Sequence, residues 1–129
     1  MELTPRNTFR KGEKIYKKSE LENLIKSGNS FVVAPIRVVW SVREGSSNYA
    51  VKIAISVPKR RIRNATDRNR IKRLIRESYR VHKHTLIGQF NSRQKTLHVL
   101  LIYNGNLNPS FTEVERKIIL ILQRLKEIA

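Results

Sequence analysis

The sequence contains no cysteine and few acidic residues. Of its 129 residues, 10 are Asp or Glu and 27 are Lys or Arg, which gives a formal net charge of +17. The absence of cysteine excludes disulfide bonds and thiolate metal sites. No apolar run is long enough to cross a membrane, and the first residues, MELTPRNTFRKGEK, lack the apolar core of a signal peptide. We therefore expect a soluble cytoplasmic protein.

The excess of positive charge indicates a polyanionic partner. A net charge far from zero destabilises the compact state through self-repulsion unless a partner of opposite charge is bound. Nucleic acid is the leading candidate for that partner, and an anionic membrane surface is the second.

The length and composition fit one domain. A chain of 129 residues, 40% of them hydrophobic, can close a single modest core but cannot house two. The first residues are polar and basic and have no steady apolar periodicity. We therefore expect residues 1–17 to form a loosely held basic arm and residues 18–129 to form the domain.

The first half of the domain carries the pattern of a helix followed by strands. A capping box at Ser19 opens a helix that ends at Gly28. The β-branched residues 31–42 predict one long strand, or two shorter ones split at Pro35. A further strand follows at residues 51–57, and the turn EGSSN is expected to join it to the preceding strand as a hairpin.

The second half predicts a helix, a strand and a last helix. Asn64 is a plausible cap for a helix that runs to about Lys83, and the stretch HKHTLIGQFNSRQ is expected to be its frayed end and a loop. Residues 97–103 are apolar on both faces, so that strand is central or covered. Ser110 opens the last helix with another capping box. The element order α-β-β-(β)-α-β-α predicts an α+β fold, with three helices on a small, mostly antiparallel sheet of three to four strands.

The helix that begins near Asn64 is expected to be cationic on its outer side. Four apolar side chains fall together on a helical wheel and should face the sheet: Ile71, Leu74, Ile75 and Tyr79. The far side and its flanks carry Arg68, Asn69, Arg70, Lys72, Arg73, Arg76, Arg80 and Lys83. The preceding loop adds Lys59, Arg60, Arg61 and Arg63, and the planar fork of Arg suits phosphate. A merely solvated helix face is the alternative, which the clustering and the shortage of acids disfavour.

The chain offers no arrangement that indicates catalysis by the protein itself. Its paired acids, Glu20 with Glu22 and Glu113 with Glu115, lie in first helical turns, where the helix dipole accounts for them. His82, His84 and His98 are expected to be surface or RNA-facing residues rather than metal ligands. No Gly-rich phosphate loop or nucleophile arrangement is present. We therefore expect no catalytic and no metal-ligating residue.

The run PKRRIRNATDRNRIKRLIRESYR, residues 58–80, resembles the protein subunit of bacterial ribonuclease P. The hallmark of that family is Arg-Asn-Arg followed by Lys-Arg and a further Arg, and six residues match it: Arg68, Asn69, Arg70, Lys72, Arg73 and Arg76. The preceding strand VKIAISV and the order of elements fit over nearly the whole chain. The resemblance implies that family's fold, including a left-handed βαβ crossover through the second helix, which the usual right-handed preference would not predict.

The resemblance implies an accessory RNA-binding subunit of an endoribonuclease, whose catalytic RNA removes the 5′ leader of precursor tRNA with Mg²⁺ held through the RNA. The implied partners are ribonuclease P RNA and the single-stranded leader, in a 1:1 complex with a monomer of the protein. The expected RNA-binding residues are Arg68, Asn69, Arg70, Lys72, Arg73, Arg76, Arg80, Lys59, Arg60 and Arg61. Replacing Arg68 or Arg73 with Ala is expected to weaken RNA binding and to leave folding nearly unchanged.

The resemblance also implies a leader cleft between the first helix and the sheet. The candidates for it are Leu21, Ile25, Arg37, Val39, Lys52 and Ser56. Positions that are often aromatic in the family are Leu21, Ile25 and Val39 here, and stacking contributes about 1–3 kcal/mol per base. A leader would therefore be held more by apolar contact and charge than by stacking. For Leu21 and Ile25, plain core contacts of an amphipathic helix remain equally open.

Two other function classes remain open. A structural ribosomal-type protein would share the charge and the small α+β frame but would not need a leader cleft. A protein-only ribonuclease would cleave RNA without an RNA subunit.

Overall fold

The computed structural model describes residues 18–45 and 49–128, so the arm expected at residues 1–17 lies outside the described residues. The elements are α1 (Lys18–Ser27), β1 (Asn29–Val33), β2 (Ile36–Glu44), β3 (Val51–Ser56), α2 (Ala65–His82), α3 (His84–Ser92), β4 (Lys95–Tyr103) and α4 (Phe111–Ile128). The predicted α+β class is confirmed. None of these helices is long and apolar enough to cross a membrane.

The four strands form one mixed sheet in the order β1-β2-β4-β3. β2 pairs antiparallel with both β1 and β4, whereas β3 pairs parallel with β4. The expected hairpin between the second and third strands is therefore wrong, because β4 lies between them. β4 is buried over nearly its whole length. A strand that is apolar on both faces is best placed at the centre of a sheet, and this outweighs the short connection between β2 and β3.

In two segments the structure gives more detail than the sequence prediction. The strand region before residue 44 is split at Pro35 into β1 and β2, which was one of the two alternatives. Residues 84–92 form a fourth helix, α3, where a frayed end and a loop were expected. No side chain caps its first turn, but Leu86 and Phe90 lie one turn apart and are fully buried. Their packing into the core stabilises a helix that lacks a start signal.

α2 and α4 begin as the sequence predicts. The Asn64 side chain accepts a hydrogen bond of 2.8 Å from the Thr66 N–H, and the Ser110 hydroxyl accepts one of 3.1 Å from the Glu113 N–H. These side chains satisfy donors that a helix N-terminus leaves without a partner. The starting residue of each helix therefore has a local physical cause.

The larger apolar cluster lies between one face of the sheet and the three helices α2, α3 and α4. The apolar stripe of α2 faces it as predicted: Ile71, Ile75 and Tyr79 are fully buried, and Leu74 packs at its edge. Each large apolar side chain buried in this way stabilises the fold by about 1.5–3 kcal/mol. This cluster fixes the orientation of α2 and turns its charged side outward.

A smaller apolar cluster lies on the opposite face of the sheet, beneath α1. Leu24 packs there on Val39 of β2 and Leu100 of β4. α1 ends at Gly28, where an added Cβ would overlap the Leu24 carbonyl oxygen and lie 3.0 Å from the carbonyl oxygen of Trp40. A side chain at this position would therefore push the end of α1 away from β2.

Candidate nucleic-acid interface

The loop between β3 and α2 has a fixed shape that turns its basic side chains outward. The N–H groups of Arg61 and Ile62 both donate to the Pro58 carbonyl, at 3.0 and 3.1 Å. Ile62 is only 2% exposed and anchors the loop in the core. The basic residues around this anchor are exposed: Lys59, Arg60, Arg61 and Arg63. The loop thus presents its charges from a defined backbone rather than from a free chain.

The outer side of α2 continues this charge. Arg73 is exposed and Lys72 and Arg76 are partly exposed, as is expected for the side opposite the buried stripe. We call the seven residues Lys59, Arg60, Arg61, Arg63, Lys72, Arg73 and Arg76 the cationic surface. The ion pairs formed among residues 18–45 and 49–128 do not include any of the seven. This surface is therefore accessible and is not neutralised by the described carboxylates.

Arg80 differs from the rest of the predicted set, because it is engaged by an acid. Its Nε donates to Glu77 at 3.1 Å, and its Nη2 contacts the same carboxylate. The hydrogen bond with Arg80, and the charge of Arg80, hold the pKa of Glu77 below its usual value. The same hydrogen bond, with the charge of Glu77, raises the pKa of Arg80. Arg80 therefore lies at the edge of the cationic surface with part of its charge compensated.

Arg68 and Arg70 also serve inside the protein, which sequence reasoning missed. Arg68 Nη1 donates to the carbonyls of Ile62 and Arg63, at 2.9 and 2.7 Å. Arg70 Nη2 donates to the carbonyl of Pro109 at 3.0 Å. Arg68 thus holds the basic loop, and Arg70 ties α2 to the loop after β4. Asn69, between them, is exposed. Because the acceptors are main-chain carbonyls, no side-chain pattern could have indicated these contacts.

The sheet face beneath α1 consists of three rows of paired residues that cross β2, β4 and β3. The rows are Ser41, His98 and Lys52; Val39, Leu100 and Ala54; and Arg37, Ile102 and Ser56. α1 covers the first two, since Leu24 packs on the middle row and Glu20 reaches to 3.7 Å from Lys52. The third row is accessible, because Arg37 is exposed and its two partners are partly exposed. We call it the open row.

The six residues expected to line a leader cleft therefore separate into an accessible group and a group at the contact between α1 and the sheet. Arg37 and Ser56 lie in the open row, and Ile25 is 61% exposed on α1. Val39 is only 5% exposed beneath Leu24, and Lys52 faces Glu20. Leu21 packs at the edge of the smaller cluster, so the core interpretation holds for Leu21 and fails for Ile25.

All three histidines were expected at the surface or facing RNA, and for His98 this expectation is wrong. His98 is only 3% exposed, because it lies on the central strand β4 beneath α1. Burial lowers the pKa of His98. The positive charges of Arg43 and Lys52 lower it further, whereas the negative charge of Glu20 opposes this shift. His82 instead joins two helices, with its Nε2 3.0 Å from Glu115 Oε2. In the described ranges, no three His, Asp or Glu residues are grouped so that they could hold a metal ion.

Comparison with known proteins gives concordant results. Residues 9–126 match the model of a protein family described as Ribonuclease P. The chain is 39% identical over 108 residues to the ribonuclease P protein component of Porphyromonas gingivalis, a match that covers 82% of this chain and 77% of the relative. It is 29% identical over 115 residues to that of Listeria monocytogenes, which covers 89% of each.

Solved structures share the fold. The RNase P protein of Staphylococcus aureus aligns with a TM-score of 0.67 at 22% identity, covering 87% of this chain and 94% of that one. The RNase P protein of Thermotoga maritima aligns with a TM-score of 0.66 at 24% identity, covering 87% of this chain and 96% of that one.

Proposed function

We propose, from the premise that this chain belongs to the ribonuclease P protein family, that its cationic surface binds the RNA subunit and that its open row receives the precursor tRNA leader. Ribonuclease P is an endoribonuclease ribonucleoprotein that processes tRNA, and this chain is its accessory protein subunit. The residues assigned to each RNA contact, and the single protein monomer in a 1:1 complex, are part of the proposal.

The observation that carries the proposal is the cationic surface itself. Its seven cations lie on one short loop and one side of α2, and none of them forms an ion pair with a described carboxylate. Like charges one turn apart on a helix cost a few tenths of a kcal/mol per pair. A phosphate backbone reverses this cost, and each neutralised phosphate also releases counterions. RNA is thus the partner that fits the charge and the family.

The proposed path of the leader follows the open row. This row ends on β3 at Ser56, and the basic loop begins three residues later at Lys59. A single strand lying along the row would pass from Arg37 toward the cationic surface without a break. The row carries no aromatic side chain, so charge and apolar contact would hold the leader.

The chemistry in this proposal belongs to the RNA, with Mg²⁺ that the RNA holds. The open row offers a guanidinium, an alkyl chain and a hydroxyl, so it supplies no carboxylate for a metal. The role of this chain is to orient the substrate and to screen phosphate repulsion. That screening should lower the Mg²⁺ concentration that the complex needs.

Leader removal at low Mg²⁺ tests the proposal. The full chain is mixed with a bacterial ribonuclease P RNA and precursor tRNA, and cleavage is compared with that by the RNA alone. We expect a clear gain, reduced by Arg73→Ala on the cationic surface. Arg93→Ala, just past α3 and exposed, removes the same charge at the other end of β4 and should keep the gain. No gain over RNA alone would refute the proposal.

The same preparation separates the other classes. A structural ribosomal-type protein would copurify with rRNA fragments, which sequencing of the bound RNA would reveal. A protein-only ribonuclease would cleave precursor tRNA in Mg²⁺ with no RNA subunit added.

A further inference from the structure

A pocket of about 350 Å³ lies at the end of β4, beside the loop that Arg70 of α2 contacts. The turn between β1 and β2, the loop after β4 and the first turns of α4 form its walls. Its apolar wall includes Pro35, Ile36 and Val114, and its polar rim includes Glu113, Arg116 and Lys117. This volume is at the lower end of the range for small-molecule sites and is large enough for one planar ring system.

The walls of this pocket are tied together, so the pocket is already formed. The Asn104 N–H donates to the Pro35 carbonyl at 2.9 Å, and the Tyr103 hydroxyl donates to the Asn106 carbonyl at 2.7 Å. A Cβ at Gly105 would lie 2.6 Å from the Tyr103 ring, so the loop also packs tightly on that ring. A pocket held in this way loses little entropy when a ligand enters.

The pocket is connected to α2 by a hydrogen bond from Arg70, and Arg61 of the cationic surface lies close enough to act on the Tyr103 phenol. Arg70 donates to the carbonyl of Pro109, a residue that lines the pocket. Burial, reinforced by Glu113, raises the pKa of Tyr103, while Arg61 and Arg70 act in the opposite direction. The phenol therefore stays protonated and keeps its hydrogen bond, and basic side chains of the RNA-binding region lie close enough to influence it.

We propose that this pocket binds one unpaired nucleobase of the RNA that lies on the cationic surface, with Arg116 and Lys117 contacting the adjoining phosphate. Proteins bind unstacked bases against apolar walls and read them through hydrogen bonds to their edges. Glu113 is an acceptor, so it favours a base that presents an amino group. The proposal rests on the proposed function, because the RNA must first lie on the cationic surface.

Fluorescence of a base analogue tests the pocket directly. The probe is a short single-stranded RNA with one 2-aminopurine, titrated with the full chain. We expect a saturable change in fluorescence, and about tenfold weaker binding for Ala34→Leu, which fills the pocket from its exposed wall. Thr85→Leu is the matched control, since it adds a similar side chain at an exposed site on α3. Equal binding by Ala34→Leu and the unchanged chain would refute the pocket.

A second variant keeps the test valid if Ala34→Leu does not fold. Glu113→Ala removes the carboxylate that would accept a hydrogen bond from the amino group of the base. The unchanged chain should prefer the 2-aminopurine probe to the same RNA carrying unsubstituted purine, and Glu113→Ala should lose that preference. A preference that is absent in the unchanged chain, or that persists in the variant, would count against the assignment.

Further experiments identify which RNA supplies the base and distinguish a failure of this proposal from a failure of the proposed function. Chemical probing of base accessibility, on ribonuclease P RNA and on precursor tRNA, should find one base in one of them that the unchanged chain protects and Ala34→Leu exposes. No such base in either RNA overturns the pocket. If Arg73→Ala weakens RNA binding while Ala34→Leu does not, the pocket fails and the proposed function stands. If Arg73→Ala has no effect, the proposed function itself fails.

Discussion

Replacing Arg68 with Ala should lower stability as well as RNA binding, which differs from what the sequence alone predicts. Arg68 Nη1 donates to the carbonyls of Ile62 and Arg63, so truncation leaves two acceptors without this donor. Hydrogen bonds to charged groups contribute about 1.5–3 kcal/mol each. Because one nitrogen serves both carbonyls and Arg68 is partly exposed, we expect a combined loss of about 1–3 kcal/mol. In a domain of this size that loss lowers Tm by roughly 4–12 °C.

Arg73→Ala is the matched comparison. Arg73 is exposed and makes no such bond to residues 18–45 or 49–128, so its loss should change stability by about 0.5 kcal/mol or less. Thermal and urea unfolding of both variants without RNA measures the difference, and affinity for ribonuclease P RNA is measured in parallel. Arg68→Lys keeps the charge but not the planar fork, so it should recover RNA affinity more than stability. If Arg68→Ala is as stable as the unchanged chain, the inferred brace on the basic loop is wrong.

Three further predictions follow from the charge, the buried histidine and α1. If about six phosphates are contacted, RNA affinity should fall roughly 10³-fold between about 50 and 200 mM salt, and Arg73→Ala should reduce the slope by about 1; a flat response would contradict the role of the cationic surface. Burial lowers the pKa of His98 below 6.5, so the unfolded chain binds more protons and stability should fall as the pH drops from 6.5 toward the folded pKa. Urea unfolding at about pH 7.5 and 5.5 should show this loss, less so in His98→Gln; the same loss in both would assign it to other groups. Leu24→Ala should cost about 2–4 kcal/mol through the cavity left in the smaller cluster, and amide exchange should rise mainly in α1; unchanged exchange there would refute the packing argument.

The helices with both a cap and an apolar stripe could be predicted from the sequence. α2 and α4 have side-chain caps at Asn64 and Ser110 together with a continuous buried face. α3 has the stripe without the cap, and the stretch that contains it was expected to be a frayed helix end and a loop. Leu86 and Phe90, one turn apart, were the available signal. Local chemistry therefore predicts a helix when its two signals agree.

The order of the strands could not be predicted in the same way. Periodicity assigns each side chain to a face, and the register confirms that Arg37, Val39 and Ser41 share one. Periodicity does not indicate which strands are neighbours in the sheet. A hairpin of β2 and β3 was therefore expected, although β4 lies between them. Which residues of that face are buried depends on where α1 packs across the sheet. α1 buries Val39 and leaves Arg37 exposed. Pairing and cover arise from the whole fold rather than from local sequence.

The sheet separates the two apolar clusters, and α1 packs on the smaller one. Detaching α1 separates its Leu24 from Val39 and Leu100 of the sheet, which requires less free energy than unfolding the domain, because the larger cluster remains intact. Local opening of α1 therefore leaves the packing of α2 on the larger cluster in place. Under the proposed function, substitutions in α1 would alter the binding of the leader with little effect on the cationic surface.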